Sequence, residues 1–519
     1  MTAARPSVLL CTLNATWQHA AFGLRYLLAN LPEDLQSQTV LAEFTINQRT
    51  LDIVERVLES GASVVGFGVY IWNVAETERV VAALRRLRPE MRILLGGPEV
   101  SYECDQQEIV RLADAVITGE ADVTLAGVLR VLLSGERPAM KIIPGRLPQP
   151  AELRLPYHLY TEEDLAKRVI YVEASRGCPY TCEFCLSSLD IPVRAFSLEV
   201  LLPAFGDLLE RGARRFKFVD RTFNLNIRVS RAIMEFFLDR WQPGLFLHFE
   251  MIPDRLPADL REVIRQFPPG ALQFEVGVQT FDPGVAVNIS RRNDLTKLEE
   301  NLRYLRTETG VHIHADLIAG LPGETLESFA RGFDRLVAMG PQEIQVGILK
   351  RLRGTPIVRH DAAYTMRYAV HPPYEVLETN AMTFAELNAL RRFAKVWDLV
   401  GNSGNFVEST PLLWREGSPF HALMALTDLV HTRCGTGDGI ALLRLVEAVF
   451  DFLKAHGVPA AQAAAALWRD YTRAGRTERA PGFLAAHLPV SEKAAGAARV
   501  RSRQERRAAM PVVGERNRG

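Results

Sequence analysis

Cysteine is scarce in this chain, with only six in 519 residues. Cys11, Cys104 and Cys434 stand apart in apolar or helical stretches, so a disulfide framework is excluded. Net charge is missing too, because 61 Lys and Arg meet 61 Asp and Glu. That balance argues against a wholly basic nucleic-acid binder and against an acidic disordered protein. No apolar run reaches the ~18 residues of a membrane span. The opening MTAARPSVLLCTLN passes straight into a strand-like segment without a signal-peptide plan. The expectation is a cytoplasmic protein that meets neither membrane nor nucleic acid. With 48% hydrophobic residues the chain can fill cores, and its length calls for two or three of them.

Three regions can be distinguished, and together they predict an α/β protein with a helical carboxyl end. From Val8 to about residue 135, the strand-like SVLLCTL, TVLAEFTI, SVVGFGVYI, RILLGG and DAVITGE alternate with helix-like segments. Five strands and five helices in alternation read as a doubly wound, Rossmann-like parallel sheet. Ligands in such a sheet lie beyond the carboxyl ends of the strands. Those ends hold Asn14, Gly68, Tyr70, Gly96, Gly97, Glu99, Gly119 and Glu120. Residues 1–140 are taken as this domain and the Pro-rich 141–166 as a linker. Residues 167–360 repeat strand then helix six times, through RVIYVEAS, RFKFVD, LFLHFE, LQFEVGVQ, HIHADLIAG and EIQVGIL. This predicts a partial (β/α)6 barrel with its mouth at the strands' carboxyl ends, where Cys178, Asp220, Glu250, Glu275, Gln279, Asp316 and Lys350 fall. A mostly helical domain is expected over 361–480, and a basic, disordered tail over 481–519.

The other three cysteines crowd into RGCPYTCEFCLSS, residues 176–188. Structural zinc takes four ligands, with its thiols usually in two pairs, and this stretch offers three. A [4Fe-4S] cluster normally takes four thiolates, so three leave one iron open to a small molecule. A distant fourth ligand stays possible on spacing alone.

Cys178-x3-Cys182-x2-Cys185 at the end of the first strand of a six-unit barrel, with Phe184 before the third cysteine, resembles the radical S-adenosylmethionine (radical SAM) enzymes. VVGFGVYIWN, LLGGPEVS and ITGEAD are similar to the cobalamin-binding domain that precedes the barrel in one branch. KFVDRTFN, QFEVGVQT, HADLIAGLPGET, GILKRLRGTP and HPPYEVLET resemble a subgroup with its own uncharacterised carboxyl-terminal domain. The resemblance implies a [4Fe-4S] cluster on Cys178, Cys182 and Cys185, whose open iron is chelated by the amino and carboxylate groups of S-adenosylmethionine. One-electron reduction then gives a 5′-deoxyadenosyl radical. It further implies that Phe184, Asp220, Glu275, Gln279, Gly320, Pro322 and Gly323 surround S-adenosylmethionine. Asn14, Gly68, Tyr70, Gly96, Gly97, Glu99, Gly119 and Glu120 would cradle cobalamin. No side chain is singled out as catalytic.

The implied activity is cobalamin-dependent methylation of an unactivated carbon, or phosphorus, of a small-molecule or peptide substrate, with a flavodoxin or ferredoxin as reductant. The alternatives are a cobalamin-dependent rearrangement or oxidative cyclisation without methyl transfer, and a non-catalytic cobalamin or metal sensor. One departure concerns cobalt. Where many cobalamin domains carry Asp-x-His-x-x-Gly, this chain reads NATWQHAAFG. His19 is therefore expected to pack or hydrogen-bond rather than ligate cobalt, leaving Tyr70 and Trp72 as candidates to cover the lower face.

Overall fold

The computed structural model describes residues 6–415, 417–435, 439–473, 476 and 479–489. Six parallel strands build the first sheet: β1 (Val8–Asn14), β2 (Thr39–Thr45), β3 (Val64–Gly68), β4 (Arg92–Gly96), β5 (Ala115–Thr118) and β6 (Ile142–Pro144). Their spatial order is β2-β1-β3-β4-β5-β6. The winding reverses between β1 and β3, which opens a crevice above Asn14 and Gly68. β1 is buried along its whole length, and separate apolar cores fill the two faces of the sheet. β6 lies in the stretch expected to be linker. Three residues ending in proline carry no periodicity, and an edge position tolerates the missing N–H of Pro144.

β7 (Ile170–Val172) opens the second sheet. A short antiparallel hairpin of β8 (Ser175–Arg176) and β9 (Arg194–Ala195) follows it and encloses the cysteines. Then come β10 (Arg215–Phe218), β11 (Phe246–Met251), β12 (Leu272–Gln279), β13 (His312–Ala319) and β14 (Glu343–Ile348). The order is β14-β13-β12-β11-β10-β7, all parallel, and β7 does not pair with β14. The barrel is therefore partial, with two edges. Along β11, β12 and β13 burial alternates with the strand period, so one set of side chains packs under the helices while Glu250, Glu275 and Asp316 share the inner face.

The carboxyl-terminal region closes one of those edges. Thr383 caps the helix Phe384–Val400 by accepting from the Glu386 N–H. On that helix Trp397 Nε1 donates to the Ile344 carbonyl of β14 at 2.9 Å, and Asn402 past its end both donates to and accepts from Ile344. Phe333, Phe393, Trp397 and Phe420 form edge-to-face and tilted ring pairs with centroids 4.9–5.0 Å apart. These helices thus share the barrel's core, and an edge strand so covered cannot recruit another chain. A hairpin of β15 (Arg367–Tyr368) and β16 (Val376–Glu378) precedes them. The expected tail begins with a short helix, Gly482–Ala485, whose Leu484 is buried; residues 490–519 lie outside the described residues. Among the described residues no helix is long and apolar enough to cross a membrane.

Candidate cofactor site

The cysteine loop is shaped by its backbone. Gly177 adopts φ +90°, and a Cβ there would stand 2.6 Å from the Asp190 carbonyl. The same carbonyl accepts the Cys178 N–H at 3.1 Å. Cys178, Cys182 and Cys185 line one cavity of about 230 Å³ with Phe184, and Arg291 Nη1 donates to Cys182 Sγ at 3.5 Å. Burial pushes the Cys182 thiol up while the Arg291 charge opposes it. Glu183, between the second and third cysteines, turns away from the cavity and is buried; it accepts from Ser290 Oγ at 2.6 Å, shares a hydrogen bond with His360 Nε2 at 2.7 Å, and pairs with Arg359. Among the described residues no three His, Cys, Asp or Glu side chains converge tightly enough for a single metal ion. Thiolates on three different irons of a cluster stand further apart than ligands of one ion.

Carboxylates and cations floor this cavity. Glu275 accepts from His248 Nε2 at 3.0 Å and lies 3.4 Å from Lys217 Nζ. Burial would raise its carboxyl, but the His248 hydrogen bond and the Lys217 charge outweigh burial and hold it well below the usual range. Glu250 accepts from Arg221 Nη1 at 3.0 Å. Asp316 sits well above the carboxylate range because it is buried beside the negative Glu275 and Glu250. Gln279 takes φ +71° at a β-bulge on β12, and its Oε1 has no hydrogen-bond partner among the described residues; nor does buried Thr222 Oγ1 on the same wall. A non-glycine residue held at positive φ is costly unless its surroundings demand it.

The first domain presents a second cavity, of about 350 Å³, to the barrel mouth. Leu10, Leu94 and Ile117 supply an apolar wall, and Gly66, Gly68 and Gly96 keep the sheet face bare. A Cβ on Gly66 would come 2.7 Å from Leu10 Cδ2. Gly97 at φ +107° lets the β4 exit run against Val69, whose carbonyl a Cβ would approach to 2.5 Å. A third cavity, about 510 Å³, lies between Asn14, His19, Tyr70 and Trp72 on one side and Tyr171, Lys217 and Glu250 on the other. Arg221 lines all three cavities.

The structure gathers Phe184, Glu275, Gln279 and the three cysteines into the barrel cavity, and Gly68, Tyr70, Gly96, Gly97, Gly119 and Glu120 into that of the first domain. Asn14 lines the third and donates to the His19 carbonyl and Glu43 Oε2. Other expected residues lie elsewhere. Asp220 is turned toward β7: its oxygens accept from the Ala174 N–H at 2.9 Å and Ser175 Oγ at 2.6 Å, and burial pushes it up to about 6 against those bonds. Gly320, Pro322 and Gly323 form a turn behind the cavity; a Cβ on Gly320 would meet Val376 Cγ1 at 2.6 Å, and the Pro322 carbonyl accepts from Asn288. Glu99 accepts from Arg353 Nε at 3.0 Å and Tyr374 Oη at 2.8 Å, away from the crevice. His19 Nδ1 shares a 2.6 Å hydrogen bond with Tyr171 Oη of β7. Sequence reasoning missed Arg221, Thr222, Gly277 and Arg291. Gly277, a glycine inside a strand, was the one legible signal, since such a glycine often marks a bulge.

Comparison with known proteins matches this layout. Residues 10–129 fit the family model of the B12 binding domain, residues 172–336 that of the radical SAM superfamily, and residues 362–516 that of a protein of unknown function, DUF4080. The chain carries a B12-binding domain followed by a radical SAM domain. The chain is 25% identical over 401 residues to the 2-(S-pantetheinyl)-carbapenam-3-carboxylate methyltransferase of Streptantibioticus cattleyicolor, covering 66% of this chain and 57% of that one. It is 23% identical over 322 residues to the cobalamin-dependent radical SAM methyltransferase TokK of Streptomyces tokunonensis, covering 55% and 47%. The chain thus spans about half the length of these curated relatives. Two solved structures share its fold: TsrM, a radical S-adenosylmethionine methyltransferase from Kitasatospora setae (TM-score 0.56, 16% identity, 71% of this chain and 79% of that one), and the cobalamin-dependent S-adenosylmethionine radical enzyme OxsB (0.58, 14%, 90% and 79%).

Proposed function

We propose that this protein is a cobalamin-dependent radical SAM methyltransferase that acts on an unactivated carbon, or phosphorus, of a small-molecule or peptide substrate. The observation that carries the reading is the convergence of the three cavities on Arg221. A group in the first domain, a group on the cysteines and a substrate between them would all come within reach of one side chain.

The residues fit the implied cofactors. Among the described residues Gln279 Oε1 and Thr222 Oγ1 are buried acceptors without donors, and S-adenosylmethionine brings an ammonium and ribose hydroxyls that can satisfy such groups. The apolar, glycine-lined wall of the first-domain cavity suits the nucleotide tail and corrin edge of a cobalamin. When bound, the cluster with S-adenosylmethionine supplies a hydrogen-abstracting radical and the cobalamin a transferable methyl group, with electrons from a flavodoxin or ferredoxin type of donor. The protein's own share is positional. Cys178, Cys182 and Cys185 would hold the cluster, Phe184 would pack against S-adenosylmethionine, and Arg291 donates to the Cys182 sulfur. The Arg221–Glu250 pair stands between the cavities and keeps both charges compensated until a substrate enters.

The test is anaerobic reconstitution with iron, sulfide and hydroxocobalamin, followed by reduction and incubation of candidate substrates with methyl-labelled S-adenosylmethionine. Label in the product, with both S-adenosylhomocysteine and 5′-deoxyadenosine, is the expected result. 5′-Deoxyadenosine alone, with an altered but unlabelled substrate, would replace methyl transfer by rearrangement. No cleavage of S-adenosylmethionine at all would favour a sensor.

A further inference from the structure

The hairpin that carries the cysteines is held at its base by the other domain. β8 and β9 set Arg176 directly opposite Arg194, and Cys178, Cys182 and Cys185 all lie in the loop between them. Two guanidinium groups facing each other on an antiparallel pair repel, and here both are largely buried, with 13% and 4% side-chain exposure. Glu120, just beyond β5 of the first domain, compensates both. Its Oε2 accepts from Arg176 Nη1 at 2.7 Å and its Oε1 accepts from Arg194 Nη2. Asp122 Oδ2 accepts from Arg176 Nη1 at 3.1 Å, and Glu173 Oε1 from Arg176 Nε at 3.0 Å.

The contact continues toward the first cysteine. Arg194 Nη2 also donates to both Asp190 oxygens at 3.0 and 3.1 Å. The Asp190 backbone carbonyl in turn accepts the Cys178 N–H, with no space left between that carbonyl and Gly177. One carboxylate of the first domain is thereby tied to the cysteine loop from both sides, through Arg176 two residues before Cys178 and through Arg194 and Asp190 behind it. The sequence had assigned Glu120 to cobalamin. In the fold both of its oxygens are committed to the two arginines.

We infer that Glu120 is a positioning residue for the iron–sulfur loop: Asp122 of the B12-binding domain reaches Arg176 alone, whereas Glu120 bridges both arginines at the base of the cysteine hairpin, and cluster retention depends on it. The inference rests on the reading that Cys178, Cys182 and Cys185 hold a cluster. Partners of metal ligands commonly change metal affinity by 10–100-fold when removed. The same carboxylate borders the first-domain cavity, as do Gly177, Ser187 and Asp190 of the cysteine loop.

The experiment compares four full-length chains after anaerobic reconstitution: wild type, Glu120→Gln, Glu120→Asp and, as control, Glu103→Gln. Glu103 also bridges two arginines between the regions, but its partners are Arg351 and Arg353 rather than the hairpin arginines. Measured are iron and sulfide per chain, the rate of iron loss to a ferrous chelator, the paramagnetic resonance of the reduced cluster, and hydroxocobalamin affinity from corrin absorbance. Glu120→Gln is expected to lose iron about tenfold faster, with a changed cluster spectrum and hydroxocobalamin still bound. Glu120→Asp should lie between, and Glu103→Gln should match wild type. If Glu120→Gln is insoluble, Arg194→Lys takes its place with the same expectation, since an ammonium cannot fork to Glu120 and Asp190 as a guanidinium does. A Glu120→Gln cluster as durable as wild type overturns the inference, whether or not cobalamin affinity falls. A wild type that takes up no iron sinks the cluster reading itself, which is a distinct result.

Discussion

Gln279 fills a space that only a glycine two residues earlier leaves open, for a Cβ on Gly277 would lie 2.5 Å from Gln279 Nε2. Arg291 completes the arrangement by donating from Nη2 to the Gly277 carbonyl and from Nη1 to Cys182 Sγ. Gly277→Ala should therefore act as a displaced Gln279. Both Gly277→Ala and Gln279→Ala are expected to weaken S-adenosylmethionine binding about tenfold in equilibrium dialysis, the worth of a lost hydrogen bond or two, with iron content unchanged. Full affinity in Gly277→Ala would remove Gln279 from the cofactor site.

Replacing any one of Cys178, Cys182 or Cys185 by Ala should abolish 5′-deoxyadenosine formation while hydroxocobalamin still binds. Cys11, by contrast, is fully buried in β1, and burial pushes its thiol far up. Cys11→Ala should cost about 1 kcal/mol, as expected for a small buried apolar group, and leave cluster chemistry intact. Product formation by the triple Ala variant of the clustered cysteines would refute the assignment.

A buried ion network docks the first domain on the barrel. Arg25 binds Glu43 at 2.7 Å and Asp164 at 2.8 Å, while Arg168 binds the same two at 3.0 and 2.9 Å. Burial raises both carboxyls, but the two guanidinium groups outweigh it and hold both below the usual range. A carboxylate depressed in this way stabilises the fold above its unfolded pKa, and that contribution is lost as pH falls through the folded one. Stability should therefore fall as pH drops below about 4. Glu43→Gln, which leaves buried arginines undercompensated, should cost about 3 kcal/mol near neutrality. It should also show a smaller drop in Tm on acidification than wild type. An unchanged Tm at both pH values would show that the network carries no net stability.

His19 and Tyr171 share a hydrogen bond across the domain boundary. A ring nitrogen so engaged orients the imidazole toward the barrel. The expectation is that His19→Ala leaves the paramagnetic resonance spectrum of bound cob(II)alamin unchanged, with no nitrogen superhyperfine splitting in either protein. A triplet in wild type that vanishes in His19→Ala would establish histidine as a cobalt ligand. The Tyr70–Trp72 stack, with centroids 4.4 Å apart and planes 10° from parallel, borders the same cavity. Trp72→Ala should perturb corrin absorbance more than His19→Ala does.

The amino-acid sequence by itself determined the elements whose signal is local. Three cysteines inside eight positions must share one loop whatever the rest of the chain does. Apolar strands alternating with amphipathic helices can bury their faces only in parallel layered sheets, which is how β1 to β5, β7 and β10 to β14 were legible in advance, whereas the two-residue hairpin strands β8 and β9 carry no such pattern. The tertiary structure decided what depends on side-chain direction and on contacts distant in sequence. In a strand one residue's shift reverses the face, so at the end of β10 Asp220 turns into the β7 exit while its neighbour Arg221 faces all three cavities. Glu99 and Glu120 both follow the carboxyl end of a strand, the position at which the sequence predicts ligand contact. Their oxygens instead meet Arg353, Arg176 and Arg194, arginines from other regions that only domain packing brings there. A buried carboxylate goes to the charge that compensates it, and which charge that is depends on the three-dimensional neighbourhood.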